Sequence, residues 1–310
     1  MKKIILSGLA LLFAYQLSMA QYNACAAKSV VTETVAVEKV DRSTGKKEIV
    51  YEEVKVKDVD GHGNAAGNQY DLAVDGAFEG QTIVVLHFYT GENFDFEKPK
   101  AALKEKGFSV YRYINNPPSP EELEAALGKA CQLWVISTTV QKLTDEHAEV
   151  IKKFFDSGKG VYIWGDNDPY HADADFLSKK LLGASMSGYY MGNNNVTFKS
   201  DSTTSGMKKD HLITTGLEFV FEGITISQIH DPNQQLTPLI WSTDGNVVTS
   251  IYEKDGKRLI LDGGFTRLYC NWNTAGTGRY VKNAAAWLVN YEKFGDEVLS
   301  EDLKKKEKDK

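Results

Sequence analysis

Apolar and polar positions alternate along residues 30–59. Val35, Val37 and Val40, then Ile49, Tyr51, Val54 and Val56, stand between acids and lysines. The turn-forming RSTGKK at 42–47 separates the two runs. A period of two on either side of a turn predicts a β-hairpin with one wet face, assigned to 21–60. DGHGNAAGNQYD follows without periodicity and opens a linker assigned to 61–79. From Gln81 the rhythm changes. TIVVLHFY, FSVYRY, CQLWVIS and GVYIWG are apolar runs of strand length, separated by the helical stretches FEKPKAALKEKG, PSPEELEAALGKA and LTDEHAEVIKKFFDSG. Ser119 with Glu122 three residues on forms a capping box, and Gly158 closes the third stretch. HADADFLSKKLLG is helical again, stopped by Gly183. Strands alternating with amphipathic helices predict a mainly parallel sheet covered on both faces. Beyond residue 184 the strands crowd together as ITISQIH, LTPLIW, NVVTSIY and KRLILDG, and RYVKNAAAWLVNYEKF is the last helix. The α/β domain is thus placed at 80–295, with a charged tail at 296–310.

The first twenty residues change the expected compartment. Lys2 and Lys3 precede an apolar run from Ile4 to Ala14, and Ser18-Met19-Ala20 supplies small residues for cleavage. This is the pattern of a secretory signal peptide that leaves Gln21 as the new N-terminus. The run is too short for a membrane span. The expected location is periplasmic or extracellular, with no transmembrane segment after cleavage. Loss of the two lysines moves the net charge from −6 to −8. No basic stripe remains, which argues against nucleic acid as a partner. Cys25, Cys131 and Cys270 are too few for a disulfide framework. Cys131 opens an apolar strand and reads as a small buried hydrophobe. Tyr22-Asn23-Ala24 fits poorly as a lipidation box before Cys25.

In an open parallel sheet, ligands sit outside the carboxyl ends of the strands. That rule selects His87, Tyr89 and Thr90, then Ser137, Thr138 and Thr139, then Asp166, Asn167, Asp168 and His171, and finally Asp262 and Arg267. WGDNDPYHADAD (164–175) is the densest stretch, with four carboxylates and one imidazole. Three readings stand open. Asp166 and Asp168 suit Ca²⁺ or Mg²⁺, because these ions take oxygen ligands. Asp166, Asp168 and His171 suit acid–base chemistry. Alternatively the acids only satisfy a turn and cap the next helix, from Asp168 or Asp173. KDVDGHGN (57–64) has the outline of a Ca²⁺ loop but lacks its Gly at position six and its closing Glu. GYYMGNNNVTF and RLYCNWNTAGTGRY carry aromatics and amides that suit a sugar- or peptide-binding rim, or that pack on themselves.

Three segments in order carry a resemblance: IVVLHFYTGENFDFE, DHLITTGL at 210–217, and KRLILDGG followed by NAAAWLVN. Together they resemble the class I glutamine-amidotransferase-like superfamily over about residues 80–293. The nearest branches are non-catalytic ones, the ThuA-like proteins and the domain of gliding-motility and intraflagellar-transport proteins. The resemblance implies a flavodoxin-like three-layer α/β sandwich with a mainly parallel sheet, here preceded by the hairpin. It also implies a G-x-C-x-G turn and an H-P-E, and both are missing. The equivalent turn reads GDNDPYH, without Cys or Ser. The expected function is therefore an exported, non-catalytic domain that binds a small polar ligand or an envelope protein. Candidate ligand-binding residues are His87, Tyr89, Thr138, Asn167, Asp262 and Arg267. The alternative is a divergent hydrolase, metal-assisted or not, using Asp166, Asp168 and His171.

Overall fold

The computed structural model describes residues 31–40, 45–56, 71–272 and 275–308. The expected signal peptide, the expected cleavage site before Gln21, Cys25 and the stretch 57–64 lie outside these. The hairpin forms as the alternation predicts. β1 (Val31–Val40) pairs antiparallel with β2 (Lys47–Val56), from Val31 opposite Val56 to Val40 opposite Lys47.

The α/β domain then follows in chain order. β3 (Thr82–His87), α1 (Glu97–Glu105), β4 (Ser109–Ile114), α2 (Pro120–Leu127), β5 (Gln132–Ile136), α3 (Asp145–Asp156), β6 (Gly160–Trp164) and α4 (Ala172–Leu182) make the regular half. The second half holds β7 (Ser185–Met191), β8 (Asn195–Val196), β9 (Gly206–Met207), β10 (Val220–Phe221), β11 (Thr225–His230), β12 (Thr237–Trp241), β13 (Val247–Lys254) and β14 (Lys257–Asp262). α5 (Thr277–Leu288), α6 (Tyr291–Phe294) and α7 (Glu301–Lys308) close the chain. One sheet of order β4-β3-β5-β6-β14-β13-β12-β9 runs through the domain. Its first five strands are parallel, and β13, β12 and β9 then add as an antiparallel meander.

Successive strand residues point to opposite faces, so each buried strand feeds two cores. Ile83, Val85, Trp134, Ile136, Tyr162 and Trp164 pack on the face that carries α1 and α5. Val84, Leu86, Leu133, Val135, Val161 and Ile163 pack on the face that carries α2, α3 and α4. This is the three-layer sandwich expected. The Ser119 capping box is present, and Gly183 ends α4 in the left-handed conformation at φ 66°.

Four features differ from the sequence reading. Residues 71–79, assigned to the linker, are packed: Leu72, Ala73, Ala77 and Phe78 join the first core. The segment 296–310, assigned as a charged tail, holds buried Val298 and Leu299, and Ser300 N–H donates to Ala77 O at 2.7 Å. The last helix breaks at Asn290, whose φ of 61° ends the run while its amide donates to Gly158 O and Gly256 O. β7 was hidden in an aromatic loop, and it pairs with β11 as a ribbon outside the main sheet.

Candidate functional site

The strand β6 ends at Trp164, and the chain must turn sharply to enter α4. Gly165 makes this possible, because a Cβ there would meet Met186 Sδ at 2.9 Å and His171 Cβ at 3.0 Å. Its backbone is held by β14 and the turn after it: Gly165 N–H donates to Asp262 O at 2.8 Å and Gly165 O accepts from Phe265 N–H at 3.0 Å. The next residue, Asp166, is thereby fixed at the strand end. Its carboxylate is buried, 1% exposed. Oδ1 accepts from Asn167 N–H at 2.8 Å and the Thr225 hydroxyl at 2.9 Å, and Oδ2 accepts from Thr266 N–H at 3.1 Å. Burial nevertheless outweighs these donors and pushes its pKa up to about 7.

A cavity of about 430 Å³ opens beyond these strand ends, within the usual size of small-molecule sites. Tyr89 and Glu92 enter it from the loop after β3, and Asp166 to Tyr170 from the turn after β6. Phe265, Thr266 and Tyr269 enter from the turn after β14, and Tyr189, Ile224 and Thr225 from the β7–β11 ribbon. The aromatic rings form a connected wall. Tyr170 stands at 89° to both Tyr89 and Phe265, with centroids 5.4 and 6.5 Å away, and Tyr89 lies 4.9 Å from Phe265. Tyr269 donates its hydroxyl to Glu92 Oε2 at 3.0 Å. Burial raises the pKa of the Tyr89 and Tyr269 hydroxyls, so both stay protonated donors at neutral pH. The loop carrying Glu92 is strained, since Glu92, Asn93 and Phe96 all have φ between 54° and 68°. Non-glycine residues in that region cluster where function or packing holds them.

Of the residues selected from sequence, Tyr89, Asp166, Asn167 and Asp168 line this cavity. The others do not. His87 is fully buried under Phe94 and Phe96, with Nδ1 3.3 Å from Arg112. Burial, then the Arg112 charge, lowers its pKa to about 4, leaving a neutral core histidine. Thr138 supports the start of α4, its carbonyl accepting from Ala172 N–H. Asp262 and Arg267 are fully buried behind the site as a pair at 3.3 Å, with Thr249 and Tyr280 also donating to Asp262. Opposite charges five residues apart across a strand end satisfied each other and never reached the cleft.

The acidic turn resolves into separate tasks. His171 lies behind Asp166 and meets its backbone carbonyl at 3.2 Å, not its carboxylate. Asp173 accepts from Lys142 N–H and Leu143 N–H, and Asp175 from Met186 N–H. Neither Asp168 nor Asp173 caps α4, because the Ser137 hydroxyl takes the Asp173 and Ala174 N–H groups instead. Among the described residues no group of three His, Cys, Asp or Glu is placed to share an ion. The Asp166 oxygens are already committed to donors, so the geometry gives no support to Asp166 and Asp168 as Ca²⁺ or Mg²⁺ ligands.

Neither described cysteine has the environment of a nucleophile. Cys131 sits at the start of β5, and burial pushes its thiol up to about 12; burial also raises Cys270, to about 11. A thiol that stays protonated at neutral pH is a poor nucleophile. Native protein treated with iodoacetamide should therefore modify the peptides containing Cys131 and Cys270 more slowly than a free cysteine. Faster labelling of either would reveal an activated thiolate.

No protein-family model matches this sequence, and no curated protein matches it. Solved structures do resemble the chain. A GMP synthase subunit protein from Thermoplasma acidophilum is 12% identical over 69% of this chain and 96% of its own, with a TM-score of 0.43. A ThuA-like protein of Parabacteroides merdae is 11% identical over 68% and 90%, at 0.42. The glutaminase domain of Trypanosoma brucei CTPS is 11% identical over 67% and 94%, at 0.36. All three have the class I glutamine-amidotransferase-like fold. At such low identity these likenesses concern the chain trace alone, and the chemistry of the site belongs to this chain's own residues.

The residues missing from the sequence reading were Glu92, Ile224, Thr225, Phe265 and Thr266, while Pro169 and Tyr170 fell within the acidic stretch 164–175. Tyr189 and Tyr269 fell within the two aromatic stretches already singled out. Thr266 is 100 positions from the carboxylate it serves, and no local pattern encodes such a contact.

Proposed function

We propose that this chain is exported, loses residues 1–20, and binds a small polar ligand in the cavity beyond β3, β6 and β14. It does so without thiol chemistry. The observation that carries this reading is the cavity itself. Loops from distant parts of the chain place aromatic faces and hydroxyl donors around one pre-formed space, with the Asp166 carboxylate fixed at its edge. Its volume suits a small molecule better than a flat protein contact, which favours a ligand over an envelope partner. A hydrolase using Asp166, Asp168 and His171 is less well supported. The imidazole bonds to the wrong atom of Asp166 to exchange a proton with its carboxylate.

The test is a thermal-shift panel on the mature chain, with monosaccharides, free amino acids, dipeptides, polyols and small ammonium compounds. At least one class should raise the melting temperature by mass action. Tyr269→Ala should abolish that rise, while Cys270→Ala should leave it intact. A rise that survives Tyr269→Ala, or that needs the thiol, would overturn the reading. For the export half, mass spectrometry of the secreted form should find Gln21 at the N-terminus, and an intact Met1 would refute it.

A further inference from the structure

The residues that line the cavity are unbalanced in charge. Glu92, Asp166 and Asp168 contribute acidic side chains, and no lysine, arginine or histidine is among the lining residues. Lys98 bonds to the wall from outside, its ammonium donating to the Tyr269 carbonyl at 3.3 Å without lining the cavity. Five aromatic rings, from Tyr89, Tyr170, Tyr189, Phe265 and Tyr269, share the same space. Tyr170 is perpendicular to Tyr89 and Phe265, so the rings enclose a corner and do not form one flat stack. Ring faces are electron-rich, and a cation within about 6 Å of a ring centroid gains roughly 0.5–2 kcal/mol per good contact. An anionic ligand would meet carboxylates and no cationic side chain, and a neutral one would leave their field unused.

The geometry points to an organic cation as the ligand, an ammonium group seated against Tyr89, Tyr170 and Tyr269 with Glu92 and Asp168 at the mouth. Glu92 has a double part. It fixes the Tyr269 ring through its 3.0 Å hydrogen bond and supplies charge at the rim. The strained backbone at Glu92 and Asn93 is what turns that carboxylate toward Tyr269 and the cavity. Asp166 adds to the field from within. Because burial holds it near the midpoint of its titration at neutral pH, a bound cation would draw it to the ionised form and release a proton. Asn167, Thr225 and Thr266, which donate to its carboxylate, carry no charge, and the titratable neighbours Tyr89 and Cys270 are both raised by burial and stay protonated in that range.

This inference rests on the cavity being the binding site, and the test separates the two. Choline and tetramethylammonium are titrated into the mature protein by calorimetry at fixed ionic strength, beside 3,3-dimethylbutan-1-ol, the uncharged isostere of choline. The cations should bind about tenfold or more tightly than the isostere, a difference of roughly 1.4 kcal/mol. Glu92→Gln and Tyr89→Leu should each weaken choline binding about fivefold or more. The first of these lies on an exposed residue and leaves the fold in place. Equal affinity for choline and its isostere, or cation binding that ignores both substitutions, would overturn the inference. Neutral compounds alone binding in a Tyr269-dependent way would also overturn it, while leaving the cavity as the binding site. If no compound binds in a Tyr269-dependent way, both claims fall.

Discussion

Asp71→Ala is expected to lower the unfolding free energy by about 3–5 kcal/mol, the usual cost of breaking a buried ion cluster from one side. Asp71 is fully buried, and three cations converge on its carboxylate. Lys106 Nζ and Lys282 Nζ meet Oδ2 at 2.9 Å, and Arg279 Nε meets Oδ1 at 2.9 Å. Lys106 is itself fully buried, and its other bonds go to the Ala73 carbonyl and to Asp75. Removing the one carboxylate all three share leaves positive charge crowded in a low-dielectric place. The cluster ties the segment before β3 to the end of α1 and to α5, three pieces far apart in sequence. Urea melts should show a lower midpoint with little change in slope. Asp75→Ala, whose side chain is 43% exposed, should cost far less. A loss below about 1 kcal/mol for Asp71→Ala would mean that the segment is not anchored in this way.

The second large effect is a change of slope with pH. Asp166 titrates near 7 when folded and near 3.8 when unfolded, so the folded state holds its proton the more tightly. For a carboxylate shifted upward, the cost of ionisation is absent at low pH. It grows as pH rises from about 4 and is complete above about 7. Each unit of difference is worth about 1.4 kcal/mol, which sets an upper limit of about 4 kcal/mol, reduced by any water in the cavity. Asp166→Asn cannot ionise. It loses hydrogen bonds at all pH values alike, but its stability relative to wild type should improve between about pH 4 and pH 7 and then level off. The titration of His87 is common to both proteins and cancels in the difference. Parallel stability curves for the two proteins would show that Asp166 ionises with an ordinary pKa and is better solvated than its burial implies.

Most of the regular half of the domain was legible because its signals are local. The apolar runs of β3, β5 and β6, the Ser119–Glu122 box and Gly183 each identify an element within a few residues. What escaped was masked by composition. Leu72 and Phe78 follow an Asn- and Gly-rich stretch, and Val298 and Leu299 precede a run of lysines, so the polar neighbours set the reading. The site was half legible for a different reason. The strand-end rule found the right edge of the sheet, and Asp166 with it. It could not tell a carboxylate that faces the cavity from one such as Asp262, which is neutralised from beneath by Arg267. Thr225, Thr266 and Glu92 acquire meaning only when the sheet brings their loops together.

The central claim is that the space between Tyr89, Asp166 and Tyr269 is where this protein takes its ligand. A crystallographic fragment screen, soaking small polar molecules into crystals of residues 21–310, addresses it most directly. The expected result is repeated density in that cavity, against the Tyr89, Tyr170 and Tyr269 rings and within hydrogen-bond reach of the Asp168 or Glu92 carboxylate. Fragments that gather at another surface while this cavity stays empty, or a cavity closed by its own side chains, would contradict it.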